Sequence, residues 1–207
     1  VQFARLPGLT PYAAALELQL DLVRRRRLDQ TGDALVLLEH EPVVTLGRNA
    51  DAAGVLAPPD VLAAHGIGQH RVERGGQATY HGPGQLVGYP ILRLADHGLG
   101  VRSYVARLEE VMIRAAAALG VAAFRVAGRP GIFTDRGKLG AVGVAVSRGV
   151  CFHGFAFNVD PDLAHFRFLV PCGLTDVRPA SLVEHLRSPP DPARAEAALC
   201  EAFESVL

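Results

Sequence analysis

A chain of 207 residues, 49% hydrophobic and 20% charged, is long enough to bury a substantial core and is too apolar to be disordered. Lys plus Arg and Asp plus Glu balance at 21 each, which excludes the broad positive field of a general nucleic-acid binder. The three widely spaced cysteines, Cys151, Cys172 and Cys200, exclude a disulfide framework, and no apolar run reaches membrane-spanning length. The expected setting is therefore reducing and cytoplasmic. The start of the chain lacks the basic, apolar and small segments of a signal peptide, although it opens at Val1 without Met.

From the start of the chain, Thr10-Pro11 predicts a helix opening, with threonine as the cap and proline in the first turn, where its missing N–H is not needed. Ala13, Leu16, Leu20 and Val23 recur at helical spacing, and Arg24-Arg25-Arg26-Arg27 close the helix in keeping with its dipole. Strand-like runs follow at 34–39 and 43–47, and 60–64 reads as a short helix stopped near Gly66. Residues 70–92 turn into strands and glycine-rich turns. Residues 101–119 form the strongest helical pattern, lined by Val101, Tyr104, Val105, Leu108, Val111, Met112, Ala115 and Leu119 and stopped by Gly120. Strands are predicted at 123–127, 131–134, 138–146 and 149–159, the last two joined at a hairpin tip, Ser147-Arg148. Ser181 opens an S-x-x-E capping box for a short helix. Asp191-Pro192 starts a terminal helix with Ala195, Leu199, Ala202, Phe203 and Val206 inward. Helices and strands mix without βαβ alternation, so the expectation is one α+β domain over 1–207, a mixed β-sheet core flanked by helices.

Four stretches could carry chemistry. Residues 74–85, RGGQATYHGPGQ, combine a charge, an aromatic ring and a titratable group in a loop whose glycines let backbone approach a ligand; a plain glycine-rich turn fits the composition as well. In RGKLGAVG, from Arg136, the spacing and Leu139 do not fit a phosphate loop. Lys138, the only lysine in the chain, is either a partly desolvated amine or an ordinary strand-edge cation. Cys172, between Pro171 and Gly173, sits in a turn that exposes its sulfur to a pocket or buries it as an inert thiol, whereas Cys151 reads as strand packing and Cys200 as helix core. In HGFAFNVD, from His153, Gly154 marks a place where a ligand passes close to the backbone. There is no CxxC pair and no HExxH, and His40-Glu41 lacks a second histidine, so no metal is expected.

RGGQATYHGPGQLVGY at 74–89, the Lys138 strand, HGFAFNVD and PCGL occur here in the order found in lipoyl(octanoyl) transferases, and the chain resembles that family over roughly 35–182. The resemblance implies the catalytic fold of the biotin and lipoate protein ligases, akin to class II aminoacyl-tRNA synthetases and biotin synthetases. It implies transfer of octanoyl from octanoyl-acyl carrier protein to a lysine of lipoyl domains, those of 2-oxo acid dehydrogenase E2 subunits and the glycine-cleavage H protein. It also implies Cys172 as nucleophile and Lys138 as the residue that lowers its pKa. Acyl contacts would come from Arg74, Gly75, Gly76, Gln77, Ala78, Thr79, Tyr80 and His81, from Ala141, Val142 and Gly143, and from Gly154, Phe155 and Ala156. No cofactor, metal, nucleic acid or membrane is implied, and a monomer is expected.

Exchange of a thioester onto a thiolate is nearly isoenergetic, so such a transfer needs no ATP. Acylation removes the thiolate charge, after which Lys138 gives up a proton more easily and serves as base. Two other classes compete: an ATP-dependent lipoate or biotin protein ligase, which needs no nucleophilic cysteine, and a non-catalytic module that docks carrier or lipoyl domains. Arg24 to Arg27 read as a solvated helix end or as a docking patch for an acidic carrier protein.

Overall fold

The computed structural model describes residues 1–50, 54–169, 177–188 and 190–207. Its larger sheet contains β1 (Gln2–Thr10), β2 (Ala34–His40), β6 (Gln85–Ile91), β7 (Phe124–Val126), β8 (Arg129–Thr134), β9 (Gly137–Ser147) and β10 (Val150–Asn158), in the order β1-β2-β6-β10-β9-β8-β7. Strands β1 and β2 run parallel and the remaining neighbours antiparallel. The smaller sheet has the order β4-β3-β5, with β3 at Val43–Leu46, β4 at Gly68–Arg71 and β5 at Ala78–His81. This mixed sheet flanked by helices is the α+β architecture expected.

Strands β6 and β10 are buried along their whole length, because helices cover both faces of the large sheet; that is why they are mostly apolar, with Gln85, His153 and Asn158 as buried polar exceptions. Helices α3 (Val101–Ala118) and α4 (Pro192–Val206) pack on one face, around Leu108, Met112, Phe155, Phe157, Leu199 and Phe203. Helix α1 (Tyr12–Arg27) covers the other through Ala15 and Val23, which meet Val87, Tyr89, Ile91 and Phe152. The short α2 (Pro59–Ala64) inserts Leu62 into the core of the smaller sheet, beside Tyr80 and Phe166.

Several expectations change. Thr10 ends β1 and does not cap; Pro11 holds the cap position without a side-chain hydrogen bond. The buried face of α1 is Tyr12, Ala15, Gln19, Val23 and Arg26, whereas Leu20 is 45% exposed. The apolar spacing misplaces this face because Gln19 and Arg26 are buried with polar partners. Arg26 bonds Asp33 (2.6 Å), Asp29 (3.1 Å) and Asp96 (2.5 Å), so it belongs to the interior while Arg24 and Arg25 remain outside. Strand β1 is an edge, exposed on both faces and without an alternating pattern to announce it. On α3, Val101 is half exposed. The hairpin tip is Arg148-Gly149, one residue later than expected, both at positive φ. Ser181 precedes a three-residue 3₁₀ turn, with Glu184 accepting from its N–H (3.0 Å). Cys200 lies half-buried at the core's rim.

Candidate active site

A cleft of about 490 Å³ lies on the α1 side of the large sheet. Three chain segments supply most of its walls: the loop from Arg74 into β5, the middle of β9 and the middle of β10. The loop is tied down by Gly75 N–H, which donates to Val144 O on β9 (2.9 Å). Arg74 is buried, and its guanidinium donates to Thr45 O (2.7 Å) and Thr45 Oγ1 (2.8 Å) on β3, so its charge is held within the protein. Gly143 leaves room for this closeness, since a Cβ there would lie a tight 3.0 Å from Arg74 Cδ.

Of the residues anticipated from sequence, Arg74, Gly75, Gly76, Gln77, Thr79, His81, Ala141, Val142, Gly143, Gly154, Phe155 and Ala156 all line this cleft. Ala78 and Tyr80 do not. They alternate with Thr79 and His81 along β5, and period-two geometry sends them into the core of the smaller sheet. There the Tyr80 hydroxyl lies 2.8 Å from His165 Nδ1. Tyr12, Val87, Tyr89 and His153 also line the cleft and were not anticipated. Tyr12 begins a helix and carried no local signal; Val87 and Tyr89 lie within the 74–89 motif but beyond the residues expected to touch the acyl group, and His153 could have been found as the polar neighbour of Gly154.

A second lobe of about 370 Å³ shares Thr79, Ala141 and Ala156 with the first and adds Gln85, Lys138, Asn158, Phe166, Val177 and Pro179. Lys138 is 8% exposed, with its ammonium 5.6 Å from the centre of the Phe133 ring. Its backbone is clamped by the segment after 176, since Lys138 N–H donates to Arg178 O (2.8 Å) and Ala180 N–H to Lys138 O (2.9 Å). Gly131, at φ +115°, leaves the room the side chain uses: a Cβ there would lie 2.8 Å from Lys138 Cε and 3.3 Å from Ala141 Cα. The amine end therefore lies beside Ala141, where the two lobes meet. Cys172 lies outside the described residues.

A hydrogen-bonded chain joins the lobes. His81 Nδ1 donates to Gln85 Oε1 (2.6 Å), Gln85 Nε2 to Asn158 Oδ1 (2.9 Å), and Asn158 Nδ2 to Ala180 O (2.8 Å). Near the first lobe His40 Nδ1 donates to Thr10 O (2.9 Å), leaving its Nε2 to accept from the Tyr89 hydroxyl (2.6 Å). Burial, reinforced by neighbouring positive groups, pushes His81 down to about 3; burial also takes His40 to about 4 and His153 to about 3. All three imidazoles are neutral at physiological pH. Burial pushes the Tyr12 phenol up to about 12 and the Cys151 thiol to about 11, so Cys151 is an inert packing thiol. Among the described residues no cluster of His, Cys, Asp and Glu could hold a metal ion, and no helix is long and apolar enough to cross a membrane.

The mixed sheet flanked by helices is that of a known class. The family described as the lipoyl protein ligase A/B catalytic domain matches residues 11–204, and the chain belongs to it. The fold agrees. An archaeal bipartite lipoate protein ligase from Thermoplasma acidophilum superposes with a TM-score of 0.74 at 17% identity, covering 100% of this chain and 84% of that one. The biotin protein ligase of Aquifex aeolicus superposes with a TM-score of 0.57 at 11% identity, covering 99% and 69%. Within the family the chain stands among proteins named octanoyltransferase. It is 50% identical over 188 residues to the one from Acidobacterium capsulatum, covering 84% of this chain and 76% of the relative. To the one from Chloroflexus aurantiacus it is 47% identical over 203 residues, covering 97% and 88%.

Proposed function

We propose that the protein is an acyltransferase of protein lipoylation, a single catalytic domain that moves octanoyl from octanoyl-acyl carrier protein to a lysine of lipoyl domains through a thioester on Cys172. The acceptors are the lipoyl domains of 2-oxo acid dehydrogenase E2 subunits and the glycine-cleavage H protein, and the enzyme works as a cytoplasmic monomer. The observation that carries this reading is the cleft itself. Three separate sequence segments line one apolar lobe, and that lobe meets the chain's only lysine at Ala141. The identity to octanoyltransferases supports the choice of acyl group.

In the first half-reaction the Cys172 thiolate attacks the donor thioester carbonyl. A carbon–sulfur bond forms to Cys172, the bond to the carrier's sulfur breaks, and the Lys138 ammonium gives its proton to that sulfur as the thiol leaves, becoming a neutral amine. Lys138, as an ammonium, favours the thiolate. In the second half-reaction the acceptor lysine's neutral amine attacks the acyl-enzyme. An amide forms, the thiolate is released, and Lys138 accepts the amine's proton. Val177 and Pro179 line the Lys138 lobe, and Cys172 precedes Val177 by five residues, which supports pairing the two groups.

Intact mass after incubation with octanoyl-carrier protein tests the reading. The expected result is a gain of one octanoyl group that hydroxylamine removes and that Cys172→Ser abolishes. A hydroxylamine-labile adduct that survives in Cys172→Ser would overturn the assignment.

A further inference from the structure

Side chains along β10 alternate between the two faces of the sheet. Cys151, Phe155 and Phe157 enter the core under α3 and α4, while Phe152 and Ala156 face α1. His153 breaks this alternation. Its φ is +56°, a region that non-glycine residues rarely enter, and it is inside a strand. The register supplies the cause. Phe155 pairs with Gly88, and Cys151 N–H donates to Leu92 O (2.9 Å), so His153 falls opposite Pro90, which has no N–H to offer. The His153 N–H instead donates to Gln19 Oε1 (2.9 Å), from a glutamine buried on α1. The turned imidazole lies 4.7 Å from the Phe152 ring and 6.4 Å from Tyr89, and it lines the cleft beside Gly154. It is 2% exposed, and its Nε2 is one of two buried side-chain polar atoms among the described residues without a hydrogen-bond partner. Backbone outliers held by their surroundings gather at functional sites, and an unpartnered buried nitrogen calls for a reason.

Distance along the strands gives one. The amine end of Lys138 lies beside Ala141, and His153 pairs with Val144, three residues further along β9. At about 3.3 Å per residue that separation is roughly 10 Å. An extended eight-carbon acyl chain, with carbon–carbon bonds of about 1.5 Å, measures roughly 9 Å from carbonyl to methyl. We propose that His153 sets the acyl-chain length: with the reacting carbonyl beside Lys138, an eight-carbon chain ends against the imidazole, and longer chains drive apolar carbon onto a buried nitrogen that already lacks a partner. Phe152 behind the ring and Gln19 on its backbone hold the stop in place. This rests on the octanoyl-transfer reading and assigns its specificity to a residue outside the motif positions anticipated for acyl contact.

The test uses His153→Gly and His153→Asn, because glycine and asparagine are the residues that best tolerate positive φ. Each variant is given octanoyl- and dodecanoyl-carrier protein together in one reaction, so the product ratio is independent of how much enzyme is folded. The dodecanoyl-to-octanoyl ratio should rise by about tenfold or more in His153→Gly, the scale of discrimination available from methylene contacts, and by less in His153→Asn. A wild-type ratio in both variants would overturn the proposal while leaving octanoyl transfer standing. Failure of the wild-type enzyme to transfer octanoyl at all would remove the underlying reading, and this proposal with it.

Discussion

The two lobes of the cleft handle titratable groups in opposite ways. The lobe ending at Lys138 contains one amine, laid along Gly131 toward Ala141. The lobe ending at His153 collects imidazoles and phenols, with burial holding His81 and His153 at about 3 and the Tyr12 phenol at about 12. At neutral pH those groups neither gain nor lose protons. In the proposed mechanism they orient and exclude, and proton transfer belongs to Lys138 at the other end. On that reading one cleft separates chemistry from recognition by residue type, an amine at one end and imidazoles and phenols at the other, both buried.

The sharpest way to break this contrast is at Lys138. Lys138→Arg keeps a positive charge but cannot act as a base. Single-turnover measurements should find acylation partly retained and transfer to the acceptor lysine reduced by about 10²-fold or more. Equal losses in both half-reactions would leave Lys138 an electrostatic partner only. The opposite lobe predicts a pH effect on stability. In the unfolded chain these histidines titrate near 6.5, whereas in the folded chain His40 and His81 stay neutral down to about 4 and about 3. Between those values the unfolded state binds more protons, so stability is fully present above pH 6.5 and falls steadily toward pH 4. Denaturant midpoints at pH 7.5, 6 and 5 should decline in that order, and His40→Gln should flatten the decline. A flat profile in the native sequence would mean that the imidazoles are not held neutral.

Smaller effects mark where the contrast does not reach. Arg26→Gln removes the buried partner of Asp33 and should cost about 3 kcal/mol by thermal unfolding. Arg24→Gln and Arg25→Gln should stay within about 0.5 kcal/mol, because their pairs with Asp21 are exposed. Those two, not Arg26, are the substitutions that test a carrier-docking surface: a raised KM for octanoyl-carrier protein, unchanged for a small octanoyl thioester, would support one. Cys151→Ser should leave the octanoyl adduct unaltered, since burial already keeps that thiol protonated. Loss of the adduct would contradict its packing role.

Where elements were legible in the sequence, the physics was local. The pattern of α3 survives because Tyr104, Leu108, Met112 and Ala115 all face one apolar core. The loop at Arg74 and the middle of β10 were legible as ligand-facing because glycines there mark close backbone approach, whereas the middle of β9 was expected there only through the family resemblance. What could not be read depended on partners far along the chain. Gln19 is buried only because His153, 134 residues away, needs an acceptor. Arg26 is buried only because Asp33 and Asp96 converge on it. Strand β1 is held by its parallel pairing to β2, and its exposed side chains carry no period. The inward turn of His153 follows from a proline on a neighbouring strand, which only the register reveals.

The hydrogen-bonded chain from His81 to Ala180 has a direction as well as a length. Its far end is a peptide carbonyl, which can only accept, so Asn158 must present its amide nitrogen there and its oxygen toward Gln85. Gln85 is then oriented in turn, and its oxygen faces His81. Gln85 Nε2 also donates to Tyr80 O (3.3 Å), so two backbone carbonyls, Ala180 O through Asn158 and Tyr80 O directly, together place the proton on Nδ1 of His81 and leave its Nε2 as a lone pair. Gln85→Glu would cut this relay in the middle. A carboxylate can accept from His81 but has nothing to give Asn158, and it would draw a second proton onto the imidazole. The amide at position 85 therefore acts as a polarity rectifier, passing orientation from one end of the cleft to the other without passing charge.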